Sequence, residues 1–268
     1  MSVLLTSDAD GVRTLTLNRP HRRNAIDAEL WEALRTALVE AGGDRSVRAL
    51  VLTGAGGAFC SGADIPRKVS SAHPLHRIRP LTEVTLLLHE LPVPTVAKVT
   101  GVAVGAGWNL ALGCDLVVAT PGARFSQIFA RRGLSLDCGG SWLLPKLVGL
   151  QQAKRLALLA ETIDAHEAKA LGLVTWVAEA DTVDAFVDDL TARLVAGPPI
   201  ALAQTKALLN EGADRTLRDV LAGEARAQAV NFAGADVREA YAAFAAGREP
   251  LFTGRWAVPP NRTEEDDT

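Results

Sequence analysis

The chain has 268 residues, of which 48% are hydrophobic and 22% are charged. This length and composition are typical of a globular protein of one or two domains with a substantial core. The 28 Lys and Arg residues against 31 Asp and Glu residues give a formal net charge of −3. No overall basic field would therefore attract nucleic acid or an anionic membrane.

The three cysteines, Cys60, Cys114 and Cys138, form neither a disulfide framework nor a metal-ligand spacing. This usage is typical of a reducing compartment and predicts a cytoplasmic protein. The first residues, MSVLLTSDADG, have no basic region before their short apolar patch, so no signal peptide is expected. No apolar run is long enough to cross a bilayer.

Strand and helix patterns alternate over the first 120 residues. Residues 12–18 alternate as a strand does, and residues 47–53 form a short apolar strand. Between them Asp27 is placed to cap a helix whose apolar residues recur at helical spacing until Gly42-Gly43. Residues 66–80 show no clear period and are expected to form an irregular loop.

The alternation continues and then gives way to helices. Further strands are predicted at 95–99, 115–119 and 173–177, and further helices at 81–91, 108–112, 141–148, 151–160, 164–171, 182–195, 200–210 and 216–246, the last broken near Gly234. This order predicts α/β layers over residues 1–195, a helical region over 196–256 and a flexible tail over 257–268.

Two glycine-rich segments follow predicted strands, at 54–57 and 105–107. Neither completes G-x-G-x-x-G, and no GK[ST] occurs, so nucleotide-binding loops are excluded. Small residues let a ligand approach the main chain, and unpaired peptide N–H groups from two such loops would form an oxyanion hole. The alternative is that both segments are simply tight turns between a strand and a helix.

Four segments resemble, in order and spacing, the crotonase family, which is the enoyl-coenzyme A (enoyl-CoA) hydratase/isomerase superfamily. They are LNRPHRRNAID at 17–27, TGAGGAFCSGADI at 53–65, KVTGVAVGAGWNLALGCDLVVAT at 98–120 and GLSLDCGGSWLLPKLVG at 133–149. The resemblance covers residues 2–255. It implies a spiral of ββα turns, with 196–256 as a trimerisation region, and a homotrimer or dimer of trimers. It also implies an acyl-CoA thioester substrate and no separate cofactor.

The resemblance also implies site residues. The oxyanion hole would use the peptide N–H groups of Ala63 and Ala106, where the family usually has glycine at the second position. Coenzyme A would lie along a second set of residues, namely Arg22, Arg23, Ala25, Ala63, Asp64 and Ile65. Gly105, Asn109 and Phe129 are expected to contact the substrate, although Asn109 has the alternative role of satisfying the backbone of a helix turn. Lys98, Arg124, Arg131, Arg132 and Arg248 are either phosphate ligands or surface charges.

The chain departs from the hydratase pattern at both catalytic glutamates, because the matching positions hold Asn109 and Phe129. Asp137 instead matches the catalytic aspartate of isomerases and chloroaromatic-thioester dehalogenases in the superfamily. An apolar lining of Phe129, Trp108 and Trp142 would raise its pKa. The alternative role for Asp137 is to cap the helix that follows.

The expected activity is enoyl-CoA double-bond isomerisation through an oxyanion-stabilised dienolate, with Asp137 as the acid and base. Three alternatives remain open. These are hydration, dehalogenase-like chemistry with Asp137 as nucleophile and His73 or His76 as base, and binding of acyl-CoA without catalysis. Cys60 and Cys138 are interpreted as buried structural thiols.

Overall fold

The computed structural model describes residues 2–64 and 73–257. Contacts between residues divide the chain into two compact units, Met1–Ala192 and Arg193–Thr268. Strands and helices alternate in the first unit, and helices dominate the described part of the second. The predicted mixed α/β class with a helical C-terminal region is confirmed.

Over the described residues, the strands are β1 (Leu4–Ala9), β2 (Val12–Leu17), β3 (Ala49–Gly54), β4 (Thr95–Val99), β5 (Val102–Val104), β6 (Leu116–Ala119), β7 (Arg124–Ser126), β8 (Thr162–Asp164) and β9 (Trp176–Val177). The helices are α1 (Ala28–Gly43), α2 (Pro74–His89), α3 (Ala106–Leu112), α4 (Gly140–Leu159), α5 (Ala165–Ala170), α6 (Val183–Ala196), α7 (Pro199–Gly212), α8 (Leu217–Ala233) and α9 (Ala235–Ala246). Short 3-10 helices cover Pro20–Arg22 and Ile128–Arg132.

The larger sheet has the strand order β1-β2-β3-β4-β6-β9. β1 and β2 form an antiparallel hairpin, and every later pair is parallel. In β2 buried and partly exposed residues alternate, whereas β3 is buried from Ala49 to Thr53. An interior parallel strand is covered on both faces, which explains its continuous apolar run.

Helix α1 begins as the sequence predicts, because the Asp27 carboxylate accepts the N–H of Leu30 at 3.0 Å. Helix α2 begins at Pro74, so the prediction of an irregular segment up to residue 80 was wrong for 74–80. Leu75 and Ile78 in its first turns are 71% and 47% exposed. Because these turns bury no apolar stripe, no helical period is visible there.

Four strands were missed by the sequence prediction, namely β1, β5, β7 and β8. After Leu4, β1 is exposed throughout, so it shows no alternation of burial. The other three have three residues each, which is too short for a period to be detected. They matter for the site, because β5, β7 and β8 form a second sheet beside the loop that precedes α3.

A buried asparagine fixes the chain that precedes α1. Asn24 Nδ2 donates to the carbonyls of Ala55 and Ala58 at 2.9 and 2.7 Å, and its Oδ1 accepts the N–H of Arg19 at 2.9 Å. Asn24 has a φ of 56°, a left-handed conformation that asparagine tolerates better than most residues. This side chain therefore ties the segment at 19–24 to the loop after β3.

In the second unit, two carboxylates on α9 hold the chain that follows it. Asp236 accepts the N–H groups of Thr253 and Gly254 at 2.8 and 3.0 Å. Glu239 pairs with Arg248, and this hydrogen bond lowers the pKa of Glu239 to about 2. Several large apolar side chains of this unit are exposed, including Phe232, Tyr241, Phe244, Leu251 and Trp256.

Among the described residues, no helix combines the length and the apolar character that crossing a membrane requires.

Candidate active site

A cavity of about 460 Å³ opens where the loops after β3 and β5 meet the 3-10 helix Ile128–Arg132. Both loops begin at the ends of strands, where parallel sheets commonly place ligands. The described residues that line the cavity are Arg23, Ser61, Gly62, Ala63, Val102, Val104, Gly105, Ala106, Ile128, Phe129, Arg132, Leu134 and Asp137. The sequence prediction named seven of these, namely Asp137, Ala63, Ala106, Gly105, Phe129, Arg23 and Arg132.

The peptide N–H of Ala63 is left free to face the cavity. Ala63 forms a parallel bridge with Ile26, in which Ile26 donates to the carbonyl of Gly62 and accepts from the N–H of Asp64. In a parallel bridge, the residue between the two bonded partners directs its own N–H away from the neighbouring chain. No acceptor among the described residues pairs with the Ala63 N–H.

The N–H of Ala106 is a second free donor, because Ala106 is the first residue of α3 and has no intrahelical partner. Its loop is held against the first one by a bridge between Cys60 and Ala103. Gly62 allows the two loops to lie close together. Its φ is 95°, and a Cβ at this position would lie 2.8 Å from the carbonyl oxygen of Val104. Glycine is therefore required for the two loops to converge.

Asp137 lines the cavity and does not cap α4. The N-cap of that helix is Gly139, with no side-chain hydrogen bond to the helix. Burial raises the pKa of Asp137, opposed in part by a hydrogen bond with Cys138. Its Oδ1 is buried and, among the described residues, has no hydrogen-bond partner. This oxygen is therefore free to accept a proton or a hydrogen bond from a ligand. The alternative role of Asp137 as a cap of α4 is excluded.

The predicted apolar lining around Asp137 is partly present. Phe129 is 5% exposed and lines the same cavity. Trp142, by contrast, is 38% exposed and contacts His89 and Lys146. Trp108 is completely buried and packs on Phe125. Of the three aromatic residues proposed to surround the carboxylate, Phe129 is therefore the one that lines the cavity.

Asn109 lies behind the cavity wall. Its Nδ2 donates to the main-chain carbonyl of Asp137 at 2.8 Å, and its Oδ1 accepts from Gln127 Nε2 at 2.8 Å. The side chain is completely buried and is not among the described residues that line the cavity. Asn109 therefore lies outside the described cavity wall, and its hydrogen bond to a main-chain carbonyl fits the alternative, structural role.

Some of the residues expected to hold coenzyme A line the cavity, and others are bonded within the protein. Arg23 is exposed at the cavity, and Arg132, from the list of possible phosphate ligands, lines it too. Arg22 and Ala25 contribute main-chain carbonyls to the protein's own hydrogen bonds. Asp64 pairs at 2.9 Å with Arg19, which also pairs with Asp27, so its carboxylate is bonded within the protein. Ile65 lies outside the described residues.

Of the other cations suggested as phosphate ligands, Arg131 is exposed and is not among the described residues of the cavity wall, and the remaining three have partners elsewhere. Lys98 pairs with Asp184 at 2.5 Å, and Arg248 pairs with Glu239. Arg124 donates to the carbonyls of Pro121 and Ala123. Among the described residues, Arg23 and Arg132 are the cations in the cavity wall, and they give it the positive charge that a phosphorylated substrate would meet.

Neither the cysteines nor the histidines considered above support catalysis in this cavity. Burial raises the pKa of Cys60 to about 12 and raises that of Cys138 as well, so neither thiol is a thiolate near neutral pH. His73 is exposed, and its Nδ1 accepts the N–H of Leu75 at the start of α2. His76 is exposed as well, and no histidine is among the described residues of the cavity wall.

Sequence reasoning missed Leu134 and the β5 residues of the cavity wall, as well as the buried Gln127. It identified Arg132 only as one of several candidate phosphate ligands. Gln127 carried none, because a single glutamine before a short 3-10 helix has no pattern of its own. Its importance depends on Asn109, which is 18 positions away in the sequence.

Comparisons with known proteins agree with this geometry. Residues 7–255 match the family model described as enoyl-CoA hydratase/isomerase. The chain is 37% identical over 261 residues to the 1,2-epoxyphenylacetyl-CoA isomerase of Escherichia coli K12, covering 95% of this chain and all of that protein. It is 41% identical over 255 residues to a Rhodobacter capsulatus protein named "Probable enoyl-CoA hydratase", covering 92% of this chain and 96% of that one.

The comparison with solved structures identifies the same family. The crystal structure of an enoyl-CoA hydratase from Mycobacterium smegmatis superposes with a TM-score of 0.88 at 34% identity, covering 93% of this chain and 98% of that one. The fold that the sequence resemblance implied is thereby confirmed. With the family match over nearly the whole chain, the chain belongs to the enoyl-CoA hydratase/isomerase family of the crotonase superfamily.

Proposed function

We propose that this acyl-CoA enzyme moves the double bond of an enoyl-CoA thioester, with Asp137 as the single acid and base. The observation that carries the proposal is the Asp137 carboxyl group, which lies in the cavity with a raised pKa and an unpartnered oxygen. Among the described residues that line the cavity, it is the one carboxylate. One carboxylate suffices for isomerisation, since the proton that it removes can be returned to another carbon.

The proposed reaction conserves all atoms. Asp137 takes a proton from C2 of a 3-enoyl thioester, and the carbonyl oxygen becomes the oxyanion of a dienolate. The N–H groups of Ala63 and Ala106 stabilise that charge. The protonated Asp137 then returns the proton to C4, and the 2-enoyl thioester leaves with the same mass. Phe129 helps to exclude water from the carboxylate.

Hydration is less well supported. It calls for one group to activate water and another to deliver a proton. The two family positions that would supply glutamates hold Asn109, which is bonded to Asp137 and Gln127, and Phe129. Neither side chain can transfer a proton in this way.

The dehalogenase-like alternative lacks its base, because His73 and His76 are exposed and are not among the described residues of the cavity wall. Binding without catalysis does not explain a partly buried carboxylate that keeps one oxygen without a partner in the cavity wall. Such desolvation of a carboxylate costs stability, and a cost of this kind is common at catalytic positions.

The test is to incubate the purified protein with a panel of thioesters, to separate the products by chromatography and to determine their masses by mass spectrometry. The panel holds 2-enoyl-, 3-enoyl- and saturated acyl-CoA, together with 1,2-epoxyphenylacetyl-CoA because of the relative of that name. We expect 3-enoyl-CoA to become 2-enoyl-CoA without a change of mass. A product heavier by one water would instead identify a hydratase, and binding of every thioester without conversion would identify a binder.

We further propose that the protein is a cytoplasmic homo-oligomer, either a trimer or a dimer of trimers. The exposed apolar side chains of the second unit support this, among them Phe244 at 90% and Leu251 at 77% exposure. Large exposed apolar patches usually mark contact surfaces. Sedimentation velocity is expected to show three or six copies, and a monomer at micromolar concentration would refute the assembly.

A further inference from the structure

Two buried amides connect the core to the turn that carries Asp137. Gln127 Nε2 donates to Asn109 Oδ1, and Asn109 Nδ2 donates to the Asp137 carbonyl, each at 2.8 Å. The same carbonyl also accepts the N–H of Gly140 at 2.9 Å. Gln127 and Asn109 are both 0% exposed, so water does not compete for these bonds.

The turn has a conformation that needs such support. Cys138 and Gly139 have φ values of 46° and 74°, and a left-handed cysteine is uncommon because its Cβ crowds the following carbonyl. Asn109 also packs directly on the start of α4. A Cβ added at Gly140 would lie 2.4 Å from Asn109 Nδ2, so the amide and the turn fit without spare room.

We propose that Gln127 and Asn109 are positioning residues that hold the Asp137 carboxylate in the cavity. An amide at position 109 can accept from Gln127 and donate to the Asp137 carbonyl at the same time, whereas a carboxylate can only accept. The position where hydratases carry an acid therefore orients a different acid in this chain. This inference rests on the proposed function for its kinetic test and on the geometry alone for its spectroscopic test.

The kinetic test compares Asn109→Ala, Gln127→Leu and Gln127→Glu with the wild type on 3-enoyl-CoA. We expect kcat to fall about 10²-fold in the first two variants, the size of loss that a catalytic group displaced by about 1 Å can cause. KM and the affinity for a saturated acyl-CoA should change little, because the cavity wall is intact. The control is Leu190→Ala in α6, a buried position outside the described cavity wall.

Gln127→Glu provides a conservative rescue. A protonated glutamic acid can donate to Asn109 Oδ1 as the glutamine does, and an ionised one cannot. We therefore expect this variant to keep kcat at acidic pH and to lose it as the pH rises, a descending limb that Gln127→Leu lacks. Cys138, Arg23 and Arg132 are the titratable groups that adjoin Asp137 or line its cavity, and they are the same in every variant.

The second readout is the ¹³C NMR titration of the Asp137 carboxyl, assigned by its loss in Asp137→Asn. We expect its midpoint to fall toward the ordinary aspartate range in Asn109→Ala and Gln127→Leu, because a released turn hydrates the carboxyl group. If the wild type isomerises no thioester, the proposed function fails and this titration alone decides the inference. An unchanged midpoint, or a loss of kcat no larger than in Leu190→Ala at matched thermal stability, would overturn it.

Discussion

Asp137→Asn is expected to abolish isomerisation while leaving acyl-CoA binding intact. Removal of a positioned general acid or base typically costs about 10²- to 10⁴-fold in rate. In this cavity the loss should lie at the upper end, because no other described residue of the wall is a carboxylate that could take the proton. The measurement is kcat for 3-enoyl-CoA, with the affinity for saturated acyl-CoA as the binding readout.

The same substitution is expected to stabilise the fold near neutral pH. Burial raises the pKa of Asp137 above its usual 3.8, so between the two values the folded state binds more protons than the unfolded state. The free energy of unfolding therefore falls as the pH rises through this window. Asparagine removes that cost, so Asp137→Asn should melt higher than the wild type at pH 7, and the difference should shrink toward pH 3.

The matched control for both effects is Asp181→Asn, which changes an exposed aspartate outside the described cavity wall. It should alter neither the rate nor the melting temperature. An Asp137→Asn enzyme with wild-type kcat would show that the proton passes through another group. A variant that melts lower at pH 7 would show that the carboxylate makes a stabilising contact in the folded protein.

The second large effect is expected at the Ala106 peptide. Replacing the Ala106 residue by its hydroxy-acid analogue through translational incorporation changes its N–H to an ester oxygen and leaves the side chain intact. Removal of one oxyanion-hole donor typically costs about 10²- to 10³-fold in kcat. We expect a loss of this size here, with a small change in KM, because the donor acts mainly on the charge that develops in the dienolate.

Ala28 offers a matched control for the ester. It is the first residue of α1, as Ala106 is of α3, and the cap from Asp27 goes to Leu30. The ester at Ala28 should therefore remove an equivalent terminal N–H without an effect on kcat. Equal rates for the two esters would contradict the assignment of the Ala106 N–H to the oxyanion.

Much of the framework could be predicted from local patterns. The cap at Asp27, the buried strand β3 and the break near Gly234 each depend on residues close together in sequence, and the structure contains all three. The strands β5, β7 and β8 could not be predicted in this way. Each has three residues and is defined by its partners in a sheet rather than by its own composition.

The site residues that lie in recognisable sequence motifs could be predicted. Asp137, Ala63 and Ala106 were found because the resemblance aligned them with known positions, and the structure brings them to one cavity. The role of Asn109 was not predictable, because its hydrogen-bond partners lie 18 and 28 positions away. A buried polar pair of this kind is visible only once the chain is folded.

The most direct test of the central claim uses 3-enoyl-CoA carrying two deuterons at C2, in ordinary water. If the carboxyl of Asp137 both removes and returns the proton, part of the product formed in the first turnovers should keep both deuterons, one at C2 and one at C4. The Asp137→Asn enzyme should form none of it. Doubly deuterated product formed as fast by the Asp137→Asn enzyme as by the wild type, or product that has gained a water, would contradict a single shuttling carboxyl group at Asp137.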